Sequence, residues 1–376
     1  MNMSPTEPDA QDGPGREPVS HRARRGLSRR LFVGGAAASA AAGISVAAGL
    51  TPSATATTAQ APAARRPKGF GTVATAPRLS AEFKKTFSSR FVNAGGLRQH
   101  VVIGGDGPPL LLVHGWPENW YAWRMVMPAL ARDFTVIAVD QRGMGLTEKP
   151  KGGYDTATLA NDLVALMDAL GHDRFAVAGH DTGMIIGYAL AADHPDRVEY
   201  LAVADVPGPP STEASPKLFE KEELNNRLWH IPFNRVDHEL IEQLVRGREE
   251  AFFTYEFDIQ GGERLPEYAR EYYIRLFSER ESLRGSFGFY RAWDATVEQN
   301  DDRAKTKLTM PVLAIGGEKS WGAWVEGGMK PLANDVRGVV IPGAGHWVAE
   351  QAPQQMLAAL TEFLAPYRAK ASRSAR

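Results

Sequence analysis

Short apolar runs recur along the chain, several of them ending at Gly, Asp or His: Pro109–His114, Thr135–Asp140, Phe175–His180, Tyr200–Asp205, Pro311–Gly316 and Gly338–Pro342. Within each run apolar residues follow one another instead of alternating with polar ones, as a strand covered on both faces requires. Stretches with helical spacing separate them. This rhythm predicts a buried, mainly parallel sheet wrapped by helices. An earlier pair, Phe91–Asn93 and Gln99–Ile103, is joined through Gly95-Gly96 and predicts a hairpin at the sheet edge.

Between Asp205 and Pro311 the rhythm changes. Residues 216–304 combine helical spacing, dense charge and many aromatics, among them Trp229, Phe252, Phe253, Phe257, Tyr272 and Tyr273. Most of these rings are expected to hold helices to one another. The pattern predicts a helical cap inserted between the sixth and seventh main strands. The core is then discontinuous, spanning residues 65–208 and 305–376, with the cap at 209–304. There is no internal repeat and no coiled-coil heptad pattern.

The first 64 residues follow other rules. Arg22, Arg24 and Arg25 precede Ser28-Arg29-Arg30-Leu31-Phe32-Val33, and a mild Ala/Gly-rich apolar run continues to Leu50. A basic region, an apolar region and small-residue cleavage sites describe an export signal, and the paired arginines point to the twin-arginine route. Ala54-Thr55-Ala56 and Ala61-Pro62-Ala63 both suit cleavage, and residues 51–69, rich in Ala, Thr and Pro, read as a linker. The protein is therefore expected to be exported, to the periplasm or beyond.

Composition narrows the classes further. Residues 1–64 hold six Arg and four acidic residues, which leaves 37 basic against 40 acidic in the remainder. That balance offers no basic field for nucleic acid and no polybasic patch for a membrane. With no cysteine, disulfides, catalytic thiols and thiolate metal sites are excluded. A mature chain of about 310 residues must rely on a large core, which that length can bury. Neither a metal nor an organic cofactor is implied, and a two-fold dimer is the default assembly.

Chemistry concentrates at the strand ends. Gly179-His180-Asp181-Thr182-Gly183 lies between a strand and the helix Met184–Ala192, with the G-x-Nu-x-G spacing of a nucleophile elbow. Small residues let the strand turn sharply into the helix, whose N-terminus favours negative charge. The central residue here is Asp181, not Ser. It could simply cap the helix, but as a nucleophile it is already ionised and would attack carbon to form an ester. Such chemistry needs a strained or good leaving group. His346, in Gly343-Ala344-Gly345-His346-Trp347 after the last strand, is the candidate base that would direct water at the ester. His114-Gly115-Trp116-Pro117 matches a loop supplying half an oxyanion hole, so the N–H groups of Trp116 and Thr182 are the expected donors. His114 is expected to be structural, and His172, His194 and His238 to face solvent. Two acids could orient His346: Asp205, at the end of the sixth strand, and Glu318, after the seventh. Asp205 is favoured because a strand end buries and fixes a carboxylate.

Together the elbow with Asp, His-Gly-Trp-Pro and Gly-His-Trp resemble the epoxide hydrolase and haloalkanoate dehalogenase branch of the α/β hydrolases, from about Phe91 to Tyr367. The resemblance implies an α/β-hydrolase fold, a mainly parallel eight-stranded sheet with an inserted helical cap. Closer still is the look of Cif-like secreted bacterial epoxide hydrolases. Leu228-Trp229-His230-Ile231-Pro232-Phe233 and Phe289-Tyr290-Arg291-Ala292 stand where that group keeps a ring-opening His and Tyr, which implies these roles for His230 and Tyr290. That group also places its orienting acid after the sixth strand, as Glu where this chain has Asp205. Other epoxide hydrolases use two tyrosines, so Tyr255, Tyr272 or Tyr273 could replace His230. Fluoroacetate-type dehalogenases resemble the chain too, but carry arginines where Thr182 and Ile185 stand, and Trp where Ile231 stands. Those departures imply a small, neutral, fairly apolar epoxide as substrate, with water. Dehalogenation is the alternative, and a non-catalytic ligand-binding protein is a third reading that a broken triad would favour.

The export signal makes a direct prediction. Changing Arg29 and Arg30 together to Lys should leave precursor inside the cell, visible by fractionation; normal export of that variant would exclude the twin-arginine assignment.

Overall fold

The computed structural model describes residues 68–214 and 219–374. The expected signal and nearly all of its linker lie outside the described residues. Eight strands form one sheet: β1 (Phe87–Ala94), β2 (Leu97–Gly104), β3 (Pro109–Val113), β4 (Thr135–Val139), β5 (Phe175–His180), β6 (Val198–Ala204), β7 (Val312–Gly317) and β8 (Val336–Ile341), in the order β1-β2-β4-β3-β5-β6-β7-β8. β1, β2 and β4 pair antiparallel, and the neighbours from β4 through β8 pair parallel.

Burial follows position in that order. Every residue of β5 and β7 is buried, and β3 and β4 are buried from their second residue on, whereas the edge strands β1 and β8 alternate or stay half-exposed. Central strands must be apolar on both faces because helices cover both. The hairpin extends beyond the apolar runs that predict it, pairing Ala94 with Leu97 across the Gly95-Gly96 turn. The hairpin accepts polar residues such as Arg90 and Arg98, so apolar runs alone understate its length.

Helices α1 (Thr156–Ala169) and α2 (Thr182–Asp193) pack on the sheet, and α2 is buried almost throughout, from Thr182 to Ala191. Between β6 and β7 the described residues form eight helices: α3 (Glu222–Leu228), α4 (His230–Asn234), α5 (His238–Val245), α6 (Glu249–Ile259), α7 (Glu267–Phe277), α8 (Arg280–Ser286), α9 (Gly288–Arg291) and α10 (Trp293–Arg303). A final helix, α11 (Pro353–Ser374), closes the described chain.

Polar anchors fix the cap to the core. Arg303, ending α10, donates to both carboxylate oxygens of Asp193 (2.8 and 2.5 Å) and to Thr156 Oγ1 (2.7 Å). From α7, the Tyr273 hydroxyl donates to Glu350 (2.5 Å), whose other oxygen lies 2.5 Å from Arg124. A buried charge of this kind is tolerated because it is paired and hydrogen-bonded at once. Among the described residues, no helix is long and apolar enough to cross a membrane.

The turn from β5 into α2 dictates its own sequence. Asp181 sits at φ 51°, ψ −121°, a conformation that side-chain-bearing residues seldom adopt. A Cβ on Gly183 would fall 2.2 Å from the Val113 carbonyl oxygen, and one on Gly179 would fall 2.2 Å from that of Gly183. Backbone cannot step aside as a flexible side chain can. Gly183→Ala should therefore destabilise the fold by about 1–3 kcal/mol, read as a lowered midpoint of thermal unfolding. Gly327→Ala, where an added Cβ meets nothing within 4 Å, is the control and should be neutral or slightly stabilising. Equal midpoints for both variants would contradict the packing described for the elbow.

Candidate active site

The strained turn lifts Asp181 to the carboxyl end of the sheet. Asp181 precedes α2 as a cap would, yet its side chain makes no capping hydrogen bond. Instead Oδ1 accepts the Trp116 backbone N–H at 2.8 Å. Its other oxygen, Oδ2, lies 3.4 Å from His346 Nε2. The capping role is thus set aside by geometry. Thr182 opens α2, so its N–H is one of those with no acceptor inside the helix, and its hydroxyl contacts Gln141.

On the far side of the imidazole, His346 Nδ1 lies 3.0 Å from Asp205 Oδ2, and Asp205 Oδ1 accepts the Gly317 N–H at 2.7 Å. Asp205 is fully buried and, at φ 66°, is itself held in an uncommon conformation. Glu318 points elsewhere: it accepts the Gly343 N–H at 2.8 Å in an exposed setting. The acid on His346 is therefore Asp205.

Electrostatics follow from this chain of contacts. Burial alone would discourage charge on His346, but Asp181 and Asp205 outweigh it and raise its pKa to about 10. For Asp181, burial would favour the neutral acid; His346, His180 and the Trp116 N–H overcome it and lower the pKa to about 2. At neutral pH the resting site thus holds the Asp181 carboxylate beside an imidazolium. A protonated imidazole cannot accept a proton from water. Esterifying Asp181 would remove that anion, and the pKa of His346 would fall when a base is needed.

The cap contributes a second layer. His230, the first residue of α4, stacks on the Trp116 ring with centroids 5.3 Å apart, and Tyr290 from α9 meets both rings edge-on, at 5.3 Å from Trp116 and 5.5 Å from His230. Burial lowers the pKa of His230 to about 4 and raises that of Tyr290 well above 10, Asp181 adding to the latter, so at neutral pH both present neutral hydrogen-bonding groups. The other tyrosines are placed elsewhere. Tyr273 is committed to Glu350, Tyr272 packs on Tyr121 and Phe70, and Tyr255 is exposed.

Asp181, His346 and His230 line a cavity of about 370 Å³. Its walls are mostly apolar, including Ile185, Leu228, Ile231, Trp293 and Trp321. Of the remaining histidines, His114 is fully buried, with ring nitrogens engaged by the Gly115 carbonyl and the Gln141 N–H. His172 and His194 are half-buried, not solvent-facing, and His194 contacts Asn161.

Two buried residues at the site escape a reading by motif. His180, inside the elbow, donates from Nε2 to the His346 carbonyl (2.7 Å), with Nδ1 3.2 Å from Glu118. It ties the elbow to the histidine loop, and its signal was its place beside Asp181. Glu256 is buried on α6 beside His230. Its signal was a carboxylate on the helical face formed by Phe252, Phe253 and Phe257.

The geometry predicts the titration of His346. By NMR, its imidazolium should persist to about pH 10 in the free protein. Asp205→Asn removes a stabilising anion and should shift this titration toward lower pH, while Glu318→Gln should leave it in place. A shift caused only by the Glu318 variant would transfer the orienting role.

Comparisons with known proteins agree with this architecture. Residues 108–353 match the family described as the alpha/beta hydrolase fold. A soluble epoxide hydrolase of Corynebacterium sp. (strain C12) is 36% identical over 283 residues, covering 73% of this chain and 96% of its own. A fluoroacetate dehalogenase of Burkholderia sp. is 29% identical over 304 residues, covering 75% and 95%. The crystal structure of Cfl2 from Burkholderia cenocepacia superposes with a TM-score of 0.71 at 34% identity, covering 76% of this chain and 97% of that one. The chain belongs to the α/β-hydrolase fold family, within its epoxide-hydrolase branch.

Proposed function

We propose that the protein hydrolyses epoxides to vicinal diols through an ester on Asp181. The observation that carries this reading is the division of labour at its carboxylate. Oδ1 is pinned by the Trp116 N–H, while Oδ2 faces His346 and the cavity. Oδ2 attacks the less hindered epoxide carbon, the C–O bond breaks, and its electron pair goes to the ring oxygen. Oδ1 then becomes the ester carbonyl, already beside the N–H that will hold it as an oxyanion. His346, neutral once Asp181 is esterified, takes a proton from water and directs the hydroxide at the ester carbon. Collapse of the tetrahedral intermediate releases the diol and restores the carboxylate.

The cap supports an epoxide over a halide. A ring-opened epoxide leaves an alkoxide, which needs a proton or strong hydrogen bonds, whereas halide leaves as a stable anion. His230 and Tyr290 stand together above the Trp116 ring as neutral groups suited to that oxygen. Thr182 and Ile185 offer no charged side chain to a substrate carboxylate, and the walls of the cavity suit a small, neutral, fairly apolar molecule. The epoxide hydrolase relative at 36% identity supports the same substrate class. The dehalogenase relative keeps dehalogenation as the second reading. The arginine pair in residues 1–64 supports action outside the cytoplasm.

Replacing Tyr290 with Phe keeps the ring and removes only the donor. Tyr290→Phe should slow ester formation from an epoxide by about 10²–10³-fold, measured by rapid quench and peptide mass. An activated alkyl halide, if turned over, should lose far less. Wild-type rates from the epoxide in Tyr290→Phe would reduce Tyr290 to packing and favour the dehalogenase reading.

A further inference from the structure

One buried acid in the cap takes no part in the scheme above. Glu256, on α6, is 2% exposed. One of its oxygens accepts from Trp229 Nε1 at 2.8 Å; the other accepts from Gln260 Nε2 at 2.7 Å and lies 3.3 Å from Nδ1 of His230. That nitrogen is buried and has no hydrogen bond of standard geometry. A carboxyl group and an imidazole therefore face each other inside the cap, directly behind the ring that overlooks Asp181.

We propose that Glu256 is the proton partner of His230, a positioning residue that fixes the imidazole as an Nε2–H donor and supplies the proton that makes it a full acid. The proposal rests on the epoxide reading, since only a developing alkoxide requires a proton.

Tautomer chemistry gives the reason. A neutral imidazole carries one proton and must place it on Nδ1 or on Nε2. If Glu256 is protonated it donates to Nδ1, and the proton of His230 is then on Nε2. If Glu256 is ionised, it draws the proton to Nδ1 and leaves Nε2 without a donor. Burial raises the Glu256 pKa to about 8, against the opposing pull of Gln260, His346 and Trp229. The acid is thus loaded at neutral pH, while His230 remains neutral. The groups facing this pair are few. Trp116 and Tyr290 pack on the imidazole, Asp181 and His346 act on both members from below, and the Arg227 carbonyl also meets the ring.

The protons balance over a cycle. During ring opening the Nε2 proton passes to the epoxide oxygen as the Glu256 proton passes to Nδ1. This leaves Glu256 ionised and His230 neutral with its proton on Nδ1. Esterification of Asp181 makes His346 give up the proton it holds, and that proton reloads the pair. His346 then takes its next proton from the hydrolytic water. Epoxide and water are consumed, diol is formed, and both pairs return to their starting states. A neutral imidazole alone could only hydrogen-bond to the alkoxide, because losing its single proton would leave an imidazolate.

Two measurements on the full chain test this. The first is NMR of the isotope-labelled imidazole nitrogens of His230 between about pH 6 and 10. In the wild type His230 should be the Nε2–H tautomer at neutral pH and convert to Nδ1–H near pH 8. In Glu256→Gln, whose amide can donate to Nδ1 but cannot ionise, it should stay Nε2–H throughout. An Nδ1–H tautomer at neutral pH in the wild type, as donation to the Arg227 carbonyl would produce, overturns the proposal without reference to any substrate. The second is the rate of ester formation on Asp181 from a neutral epoxide over the same pH range. It should fall by about 10²-fold through the alkaline step in the wild type, and that step should vanish in Glu256→Gln. The same alkaline step in both proteins overturns the proposal while leaving epoxide hydrolysis standing. If no ester forms in either protein, the epoxide reading fails, and the NMR result alone decides the proton pair.

Discussion

A buried Asp205 and a half-buried Asp181 stand at the end of the sheet with a single imidazole between them, and Asp181 depends on that imidazole for its charge. Desolvation disfavours an isolated buried carboxylate by several kcal/mol, yet Asp181 must be ionised to act as a nucleophile. His346, at 3.4 Å from Asp181 and 3.0 Å from Asp205, supplies the compensating charge. The surrounding structure serves to hold this arrangement. Gly179 and Gly183 permit the strained turn beneath Asp181, Gly317 donates to Asp205, and His180 holds the carbonyl of His346. In the proposed mechanism the same arrangement times the chemistry: a histidine kept protonated by its acidic neighbours becomes a base when Asp181 is converted to an ester.

The cap completes what the core leaves open. In the proposed mechanism the core loops provide a nucleophile, a base and an oxyanion donor, which together could serve many leaving groups. Trp116 belongs to both layers, since its N–H holds Asp181 while its ring carries His230 and Tyr290. On the proposed reading, substrate choice rests on helices inserted between β6 and β7. A neutral His lining an apolar cavity, with a neutral Tyr packed against its ring, suits an oxygen that gains charge without leaving the molecule. Anchors such as Arg303 to Asp193 and Tyr273 to Glu350 fix that layer against the core.

The sequence was most legible where geometry restricts the residue type. The elbow tolerates only small residues around Asp181, and a parallel sheet demands uninterrupted apolar runs, so strand order of appearance, elbow and histidine loop could all be read in advance. Strand ends moved by one or two residues, as with β6, which begins at Val198, because edges of runs carry mixed residues. The edge hairpin was longer than its apolar core. Choosing between Asp205 and Glu318 required knowing which carboxylate turns inward, and seeing which of His230, Tyr255, Tyr272 and Tyr273 faces the site required the packing of short helices. Glu256 was unreadable as a partner of His230 because the two residues come together only through the fold. The described residues leave the first 67 positions aside, so the export signal stands on its sequence alone.

In the proposed mechanism an oxygen of Asp181, and not of free water, first bonds to the substrate. A single turnover with excess enzyme in water enriched in heavy oxygen tests it most directly. The first diol formed should carry only ordinary oxygen, while the peptide containing Asp181 gains one heavy atom. Heavy oxygen in the first-turnover diol, with Asp181 unlabelled, would mean that water attacks the epoxide directly and would contradict the ester mechanism.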